Sequence, residues 1–295
     1  MDQQKNIEIH ETAFLTSTLR SLNEDLSQDY YAKLWRHPKS DIWIKKYLEQ
    51  VSSEEINTHC LRNRYFLDTI NKLVEDNEIE VLINFGCGFS MYPFLLDEGL
   101  IHIEIDKPEI IDYKKSTIEN WQKTKTLPKR NLHFIAVDFS EDDKQALLSQ
   151  ISSIKNNKPC FILIEGVLFF LDREETDHLF DFFNAIQQPG DFIGSVSFQD
   201  TLKDTVAYKK LLNFLNQIVS KTKASDYQTI ADGFYQSRPA YQLLDHQDYF
   251  SLSKTYGNTI RQNKEEILNE NFYLLKKCNL VEKEQTFHPI AAPKY

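Results

Sequence analysis

Cysteine is scarce and scattered: Cys60, Cys87, Cys160 and Cys278 are the only four in 295 residues, and no two form a CxxC pair. Neither a disulfide framework nor a thiolate zinc site is implied, and a reduced, cytoplasmic setting fits best. The eight histidines show no ligand spacing such as HxxxH, so no metal is expected. Clustered basic charge is missing too. The net charge is −10, and the densest basic stretch, KTKTLPKR (Lys123 to Arg130), reads as a solvated loop, so nucleic acid is not an expected partner. Long apolar runs are absent: CFILIEGVLFFL (Cys160 to Leu171) is too short for a membrane span and has Glu165 in its middle. The opening MDQQKNIEIHE is polar and carries no signal-peptide pattern. No internal repeat or low-complexity segment is visible.

Apolar residues make up 41% of the chain, enough for the core of one large α/β domain with an added cap. The first part, residues 1–78, reads as a helical cap segment. In TAFLTSTLRSLNEDL apolar residues recur three to four apart at Phe14, Leu15, Leu19, Leu22 and Leu26, and CLRNRYFLDTINKLVED continues that period through Ile70, Leu73 and Val74. Ser52 with Glu55 resembles a capping box. From residue 79 onward, strand and helix alternate. VLINF, IHIEID, LHFIAVD, CFILIE and DFIGSVSF read as five strands, the first as one buried on both faces. Between them Ser140 with Asp143 and Asp172 with Glu175 read as helix caps. This order implies a parallel, doubly wound Rossmann-like sheet. Residues 201–238 form a polar helical insertion, too long for an ordinary crossover. AYQLLDHQDYF then reads as a helix, and SLSKTYGNT and NFYLLKKC as a final pair of strands.

Two glycines, Gly86 and Gly88, follow the first strand. In a doubly wound sheet ligands bind outside the carboxyl ends of the strands, and glycine lets backbone come close to one. A dinucleotide site asks for G-x-G-x-x-G, but the third position here is Met91, which counts against a nucleotide-dependent oxidoreductase. An ordinary tight turn is the structural alternative. Glu104 and Asp106 end the second strand, about 20 residues on, where a carboxylate can accept hydrogen bonds from ribose hydroxyls. Asp106 also reads as a cap before Pro108. Asp138 ends the third strand with Phe139 beside it, placed either to hold an adenine or to cap a helix. Glu165 stands in an apolar run at the end of the fourth strand, where a buried carboxylate is costly unless paired.

Together these segments resemble the leucine carboxyl methyltransferase family. TAFLTSTLRS, RNRYFLD, INFGCGFS, EIDKPEIIDYK and EGVLFFL match it in order over Thr12 to Leu171. The resemblance implies a seven-stranded class I methyltransferase sheet with the insertion as lid, and S-adenosyl-L-methionine as cofactor. It implies that Arg64 pairs with the methionyl carboxylate, with Arg20 beside it and Arg62 competing for the role. By the same resemblance Gly86 and Gly88 flank the methionine part, Asp106 binds ribose, Asp138 and Phe139 hold adenine, and Glu165 meets the ammonium end or the substrate edge.

Two departures stand out: Ser90 where the family often has aspartate, and Phe170 where it often has tyrosine. The implied reaction is O-methylation, most simply of a small carboxylic acid, which is already ionised at neutral pH and needs no base. A phenol or alcohol acceptor is the alternative, as is a non-catalytic binding protein that keeps the cofactor fold. No general base is evident. DGFYQSRPAY supplies Tyr235 and Arg238, with Glu165, as candidates to position an acceptor, or else forms a turn with surface aromatics.

Overall fold

The computed structural model describes residues 7–139, 143–217 and 227–279. Its strands are β1 (Val81–Phe85), β2 (Ile101–Asp106), β3 (Leu132–Ala136), β4 (Cys160–Ile164), β5 (Phe192–Phe198), β6 (Tyr241–Asp248) and β7 (Glu270–Lys277). They form one sheet in the order β3-β2-β1-β4-β5-β7-β6, with β7 antiparallel to both neighbours. The α-helices are α1 (Ile7–Ser21), α2 (Glu24–Ser27), α3 (Pro38–Gln50), α4 (Glu55–Glu75), α5 (Tyr92–Leu95), α6 (Pro108–Lys123), α7 (Lys144–Lys155), α8 (Arg173–Ile186), α9 (Val206–Asn216), α10 (Asp232–Gln236) and α11 (Tyr249–Thr255). Among the described residues no helix is long and apolar enough to cross a membrane.

Every residue of β1 and β4 is buried, as their unbroken apolar runs require. On one face of the sheet Leu179, Phe180 and Phe183 of α8, with Leu147 of α7 and Phe234 of α10, close over Ile83, Phe85 and Ile162. On the other, Leu61, Phe66 and Ile70 of α4 and Leu252 of α11 cover Leu82, Phe161 and Phe272. Register sets the functional edge. Phe85 lies level with both Ile105 and Ile164, so the glycine turn, Asp106 and Glu165 leave the sheet side by side. Above that edge α1, α3 and α9 pack on one another through Leu19, Ile44, Tyr47 and Phe214, and Phe169 and Phe198 join them.

The C-terminal part differs from the expectation. AYQLLDHQDYF is a strand, because β7 offers it a ladder from Tyr241 to Asp248, with an irregularity between Leu243 and Asp245. Asp248 then caps α11, exchanging hydrogen bonds with Ser251. Ser251 to Thr255, expected as strand, is therefore the end of a helix, stopped at Gly257 with φ +69°. NFYLLKKC is strand as expected.

The caps divide likewise. Asp172 and Glu175 form the capping box of α8. Asp143 caps α7, while Ser140 lies outside the described residues. Ser52 and Glu55 form no box: Ser52 Oγ donates to Gln262 Oε1 at 2.7 Å, and Glu55 Oε2 accepts from the Tyr47 hydroxyl at 2.7 Å.

Inside β5 the chain leaves no room for a side chain at Gly194. A Cβ there would meet Phe161 Cζ at 2.6 Å and Phe66 Cε1 at 2.7 Å. Gly194→Ala is expected to cost about 1–3 kcal/mol, the usual range for overpacking a filled core, read from urea unfolding midpoints.

Candidate cofactor site

The glycine turn is tied to its neighbour before any ligand is considered. Gly86 N and Cys87 N both donate to the Ile105 carbonyl, at 2.8 and 3.0 Å, and Gly88 N donates to Asp106 Oδ2 at 2.7 Å. Gly86 has φ +71°, and a Cβ on it would sit 2.2 Å from Val167 Cγ2. The room made at Gly86 is thus filled by the chain after β4. At Gly88, with φ +45°, the nearest atom to such a Cβ is Ala13 Cβ of α1, at 3.6 Å. Ser90 completes the turn, donating to Cys87 O at 2.9 Å and accepting from Asn84 Nδ2 at 2.8 Å.

Met91 is fully buried and accepts the Trp35 indole N–H at 3.0 Å, while Trp35 stacks on Phe89. The helix that follows, α5, has four residues. Neither feature offers the glycine-opened helix N-terminus that a pyrophosphate needs.

Asp106 stays at the edge, half-buried. Its Oδ1 accepts from Lys107 N at 2.8 Å, and burial raises its pKa against the pull of those backbone N–H groups. Glu104 does not join it as a ligand group. It is fully buried and ion-paired with Lys114 of α6, whose Nζ also donates to Cys87 O at 3.4 Å. The pair lies under the glycine turn and holds it from below. Asp138 is half-buried just beyond β3, and Phe139 packs edge-on against Phe85 and Phe182, at 5.7 and 5.3 Å between ring centres.

At the end of β4 a buried charge network gathers. Arg20 of α1 donates through Nη2 to Glu165 Oε1 at 3.0 Å. Arg62 of α4 donates through Nη1 to Glu270 Oε1 at 2.7 Å, and its Nε lies 3.6 Å from Glu165 Oε1. Burial works against the charge on Arg20, but Glu165, Tyr92 and Asp29 together outweigh it and the proton is held more tightly than in an ordinary arginine. Asp29, buried near Arg20, is pushed up to about 6 by burial in spite of that arginine. The Tyr92 ring lies under Arg20, and burial, then Glu165, drives its phenol well above the ordinary value. Among the described residues Nε and Nη1 of Arg20 and Nε of Arg62 have no hydrogen-bond partner.

Arg64 is not part of this network. Its Nε pairs with Asp68 at 2.8 Å and its guanidinium lies 5.0 Å from the Tyr256 ring centre. Two residues along a helix turn the side chain to another face, so Arg62 and Arg64 cannot share one site. The Arg64–Asp68 spacing, i to i+4, was the sequence sign of a pair on the outer face.

Arg238 and Tyr235 are also elsewhere. Arg238 pairs with Asp177 and Asp181 of α8, close to Tyr241. Because Tyr241 is level with Lys277, and Phe192 with Lys276, this is the amino end of the parallel strands, opposite the glycine turn. Tyr235 is fully buried in the core, stacked on Tyr273 and hydrogen-bonded to Ser195 and Ser197. Phe170 is 53% exposed, its ring edge toward Phe169 and Tyr227. Sequence reasoning missed Glu270, Tyr92, Lys114 and, on α4, Glu55 and His59 as companions of Arg62, which it had named only as a competitor to Arg64. These three α4 residues had a signal, polar residues at i, i+4 and i+7 of a helix otherwise rich in buried apolar side chains. Among the described residues no cluster of His, Cys, Asp or Glu is arranged to hold a metal.

Two stability tests follow. Glu104→Ala leaves the Lys114 ammonium buried alone and is expected to cost about 3–5 kcal/mol in urea unfolding, whereas Glu104→Leu with Lys114→Met recovers most of it. Glu55 is pushed up to about 8, first by burial. The folded state therefore binds more protons than the unfolded chain between about pH 4.5 and 8, and stability falls across that window. Glu55→Gln removes the titration, so the variant's Tm, relative to wild type, is expected to rise from pH 5 to pH 9. Parallel Tm curves would show that Glu55 titrates normally.

A protein of Mycolicibacterium smegmatis, named "Putative S-adenosyl-L-methionine-dependent methyltransferase", is 22% identical over 202 residues, covering 63% of this chain and 66% of that protein. A protein of the same description from Mycobacterium avium is 28% identical over 142 residues, covering 48% and 44%. The chain thus spans between 44% and 66% of the length of these two curated relatives. Among solved structures, a protein of Thermobifida fusca described as a "putative methyltransferase" superposes with TM-score 0.62 at 11% identity over 83% of this chain and 90% of that one, which shows a shared fold. A DUF574 protein of Streptomyces avermitilis gives TM-score 0.56 at 10% identity over 88% and 97%. The family described as leucine carboxyl methyltransferase matches residues 15–184, more than half of the chain, and the chain belongs to that family.

Proposed function

We propose that the protein is an S-adenosyl-L-methionine-dependent methyltransferase that esterifies the carboxylate of a small acid. One observation carries the cofactor assignment: three guanidinium N–H positions, Nε and Nη1 of Arg20 and Nε of Arg62, are buried beside Glu165 without partners among the described residues. Buried donors left unmade are costly, and a carboxylate at this place satisfies them in the planar, two-point geometry that arginine favours. Arg20 and Arg62 would hold the methionyl carboxylate, and Glu165 the ammonium end. Asp106, already fixed by Gly88 N, keeps lone pairs for the ribose hydroxyls, and Asp138 with Phe139 would flank the adenine. When bound, the cofactor supplies a methyl group already activated on a sulfonium.

What remains for the chain is positioning and exclusion of water. Helices α1, α3 and α9 cover the strand ends, and Phe169, Phe198 and Tyr208 give the cover an apolar lining. The family name and the absence of an exposed base among the residues brought together support a carboxylate acceptor, which is ionised without help. The small-molecule acceptor is taken up here rather than by Arg238 or Tyr235, which face other parts of the fold. Unbridged thiols at Cys60, Cys87 and Cys160 are consistent with a cytoplasmic setting.

Arg20→Ala is expected to weaken S-adenosylhomocysteine roughly tenfold to a hundredfold, since charge-assisted hydrogen bonds contribute about 1.5–3 kcal/mol. Arg64→Ala should leave affinity within about twofold, the size of an ordinary surface change. Calorimetric titration reads both, and the reverse pattern would return the role to Arg64. With an accepted acid, the methylated product should release methanol on mild alkali, as an ester does and an ether does not.

A further inference from the structure

The charge network does not stop at Arg62. Glu55, His59 and Arg62 lie at i, i+4 and i+7 of α4 and share one face. That face meets Tyr47 of α3, whose hydroxyl donates to Glu55 Oε2 at 2.7 Å, and Glu270 at the start of β7, held by Arg62 at 2.7 Å. Glu55 and Glu270 are almost fully buried and His59 is 7% exposed. Yet Glu55 Oε1, Glu270 Oε2 and both ring nitrogens of His59 have no hydrogen-bond partner among the described residues. The place is telling. Arg62 spans from Glu270 to Glu165, so these atoms continue directly from the residues assigned to the cofactor, toward the ends of β5 and β7.

The protonation states narrow what fits. Burial, then the charges of Arg62 and Arg20, holds the His59 imidazole neutral, with one N–H and one lone pair. Glu55, raised to about 8, carries its proton at neutral pH, and because Oε2 accepts from Tyr47 the free oxygen is the donor. Burial raises the Glu270 carboxyl and Arg62 pulls it back, and with Oε1 paired to that guanidinium Oε2 is the oxygen left to accept. The unpartnered atoms therefore offer both donors and acceptors beside the Arg62–Glu270 pair. A second carboxylate would be repelled by Glu270, and an ammonium would meet the Glu55 proton and two arginines. A hydroxyl donates to Glu270 and accepts from Glu55 or His59 without conflict.

We propose that the acceptor of the methyl transfer carries, besides the carboxylate, a hydroxyl group held by His59, Glu55 and Glu270, and that this contact selects the substrate. The proposal deepens the carboxylate reading above and rests on it for the position of the acceptor.

Calorimetry on the protein saturated with S-adenosylhomocysteine tests it with two matched pairs, benzoate against 3-hydroxybenzoate and hexanoate against 6-hydroxyhexanoate. The hydroxylated member of at least one pair should bind at least tenfold tighter. His59→Ala should cut that preference below twofold while S-adenosylhomocysteine affinity stays within threefold. His59→Gln serves if His59→Ala does not fold, and the wild-type preference is measured without any variant. No preference in either pair, no binding of any of the four acids, a preference that survives the variants, or a parallel loss of S-adenosylhomocysteine affinity would each overturn it. Products formed with S-adenosylmethionine separate the two readings. Equal esterification of the unhydroxylated acids sinks the hydroxyl contact and leaves the ester reading standing. An alkali-stable methyl ether sinks the ester reading and, with it, the placement of the hydroxyl contact.

Discussion

The joint between Arg20, Glu165, Arg62 and Glu270 is the constraint on which the rest of this structure depends. It draws α1, β4, α4 and β7 to one point, and these elements are far apart in the chain. Each member is nearly excluded from water, where a lone charge is costly and a paired one is tolerable. The two cations and two anions nearly balance, but the geometry leaves guanidinium N–H groups over. A stable scaffold would fill those positions with its own oxygens. That none of the described residues does so is what motivates the proposed cofactor site.

The glycine turn shows a similar division of labour between support and ligand contact. Lys114 and Glu104 hold the turn from beneath, Val167 occupies the space at Gly86, and Asp106 ties Gly88 from the side. Only the upper surface is left, and α1 passes over it close to Ala13. The cap is therefore part of the site. The same helix that covers the turn also delivers Arg20 to Glu165, so the cover of the proposed cofactor position and the charge proposed to recognise it belong to one element.

Much of this was legible in the chain. Unbroken apolar runs marked β1 and β4, because a strand covered on both faces has no polar side. Gly86 and Gly88, the acids at the ends of β2 and β3, and Glu165 in its apolar run all stand at the carboxyl edge, since a parallel sheet puts the ends of its strands on one side. The C-terminal reading failed for a definable reason. Tyr241 to Asp248 has helix-like spacing in places, and only the ladder to β7 makes it strand. Tyr235 and Arg238 read as site residues from their composition, but α10 turns one into the core and the other lies at the far end of the sheet.

By itself the sequence determined the alternation of elements through β5, the class of sheet and the list of carboxylates at the strand ends, because these follow from local periodicity and from residues next to a strand terminus, while the family came from the resemblance of five segments in order. Tertiary structure decided that Arg62 and not Arg64 lies beside Glu165, that Glu104 supports the turn through Lys114, and that Glu270 joins Arg62 in one buried network. Those outcomes depend on helix phase and on contacts between segments more than 100 residues apart, such as Arg20 with Glu165 and Arg62 with Glu270. A side chain's neighbours across such a distance are set by packing, and no local pattern records them.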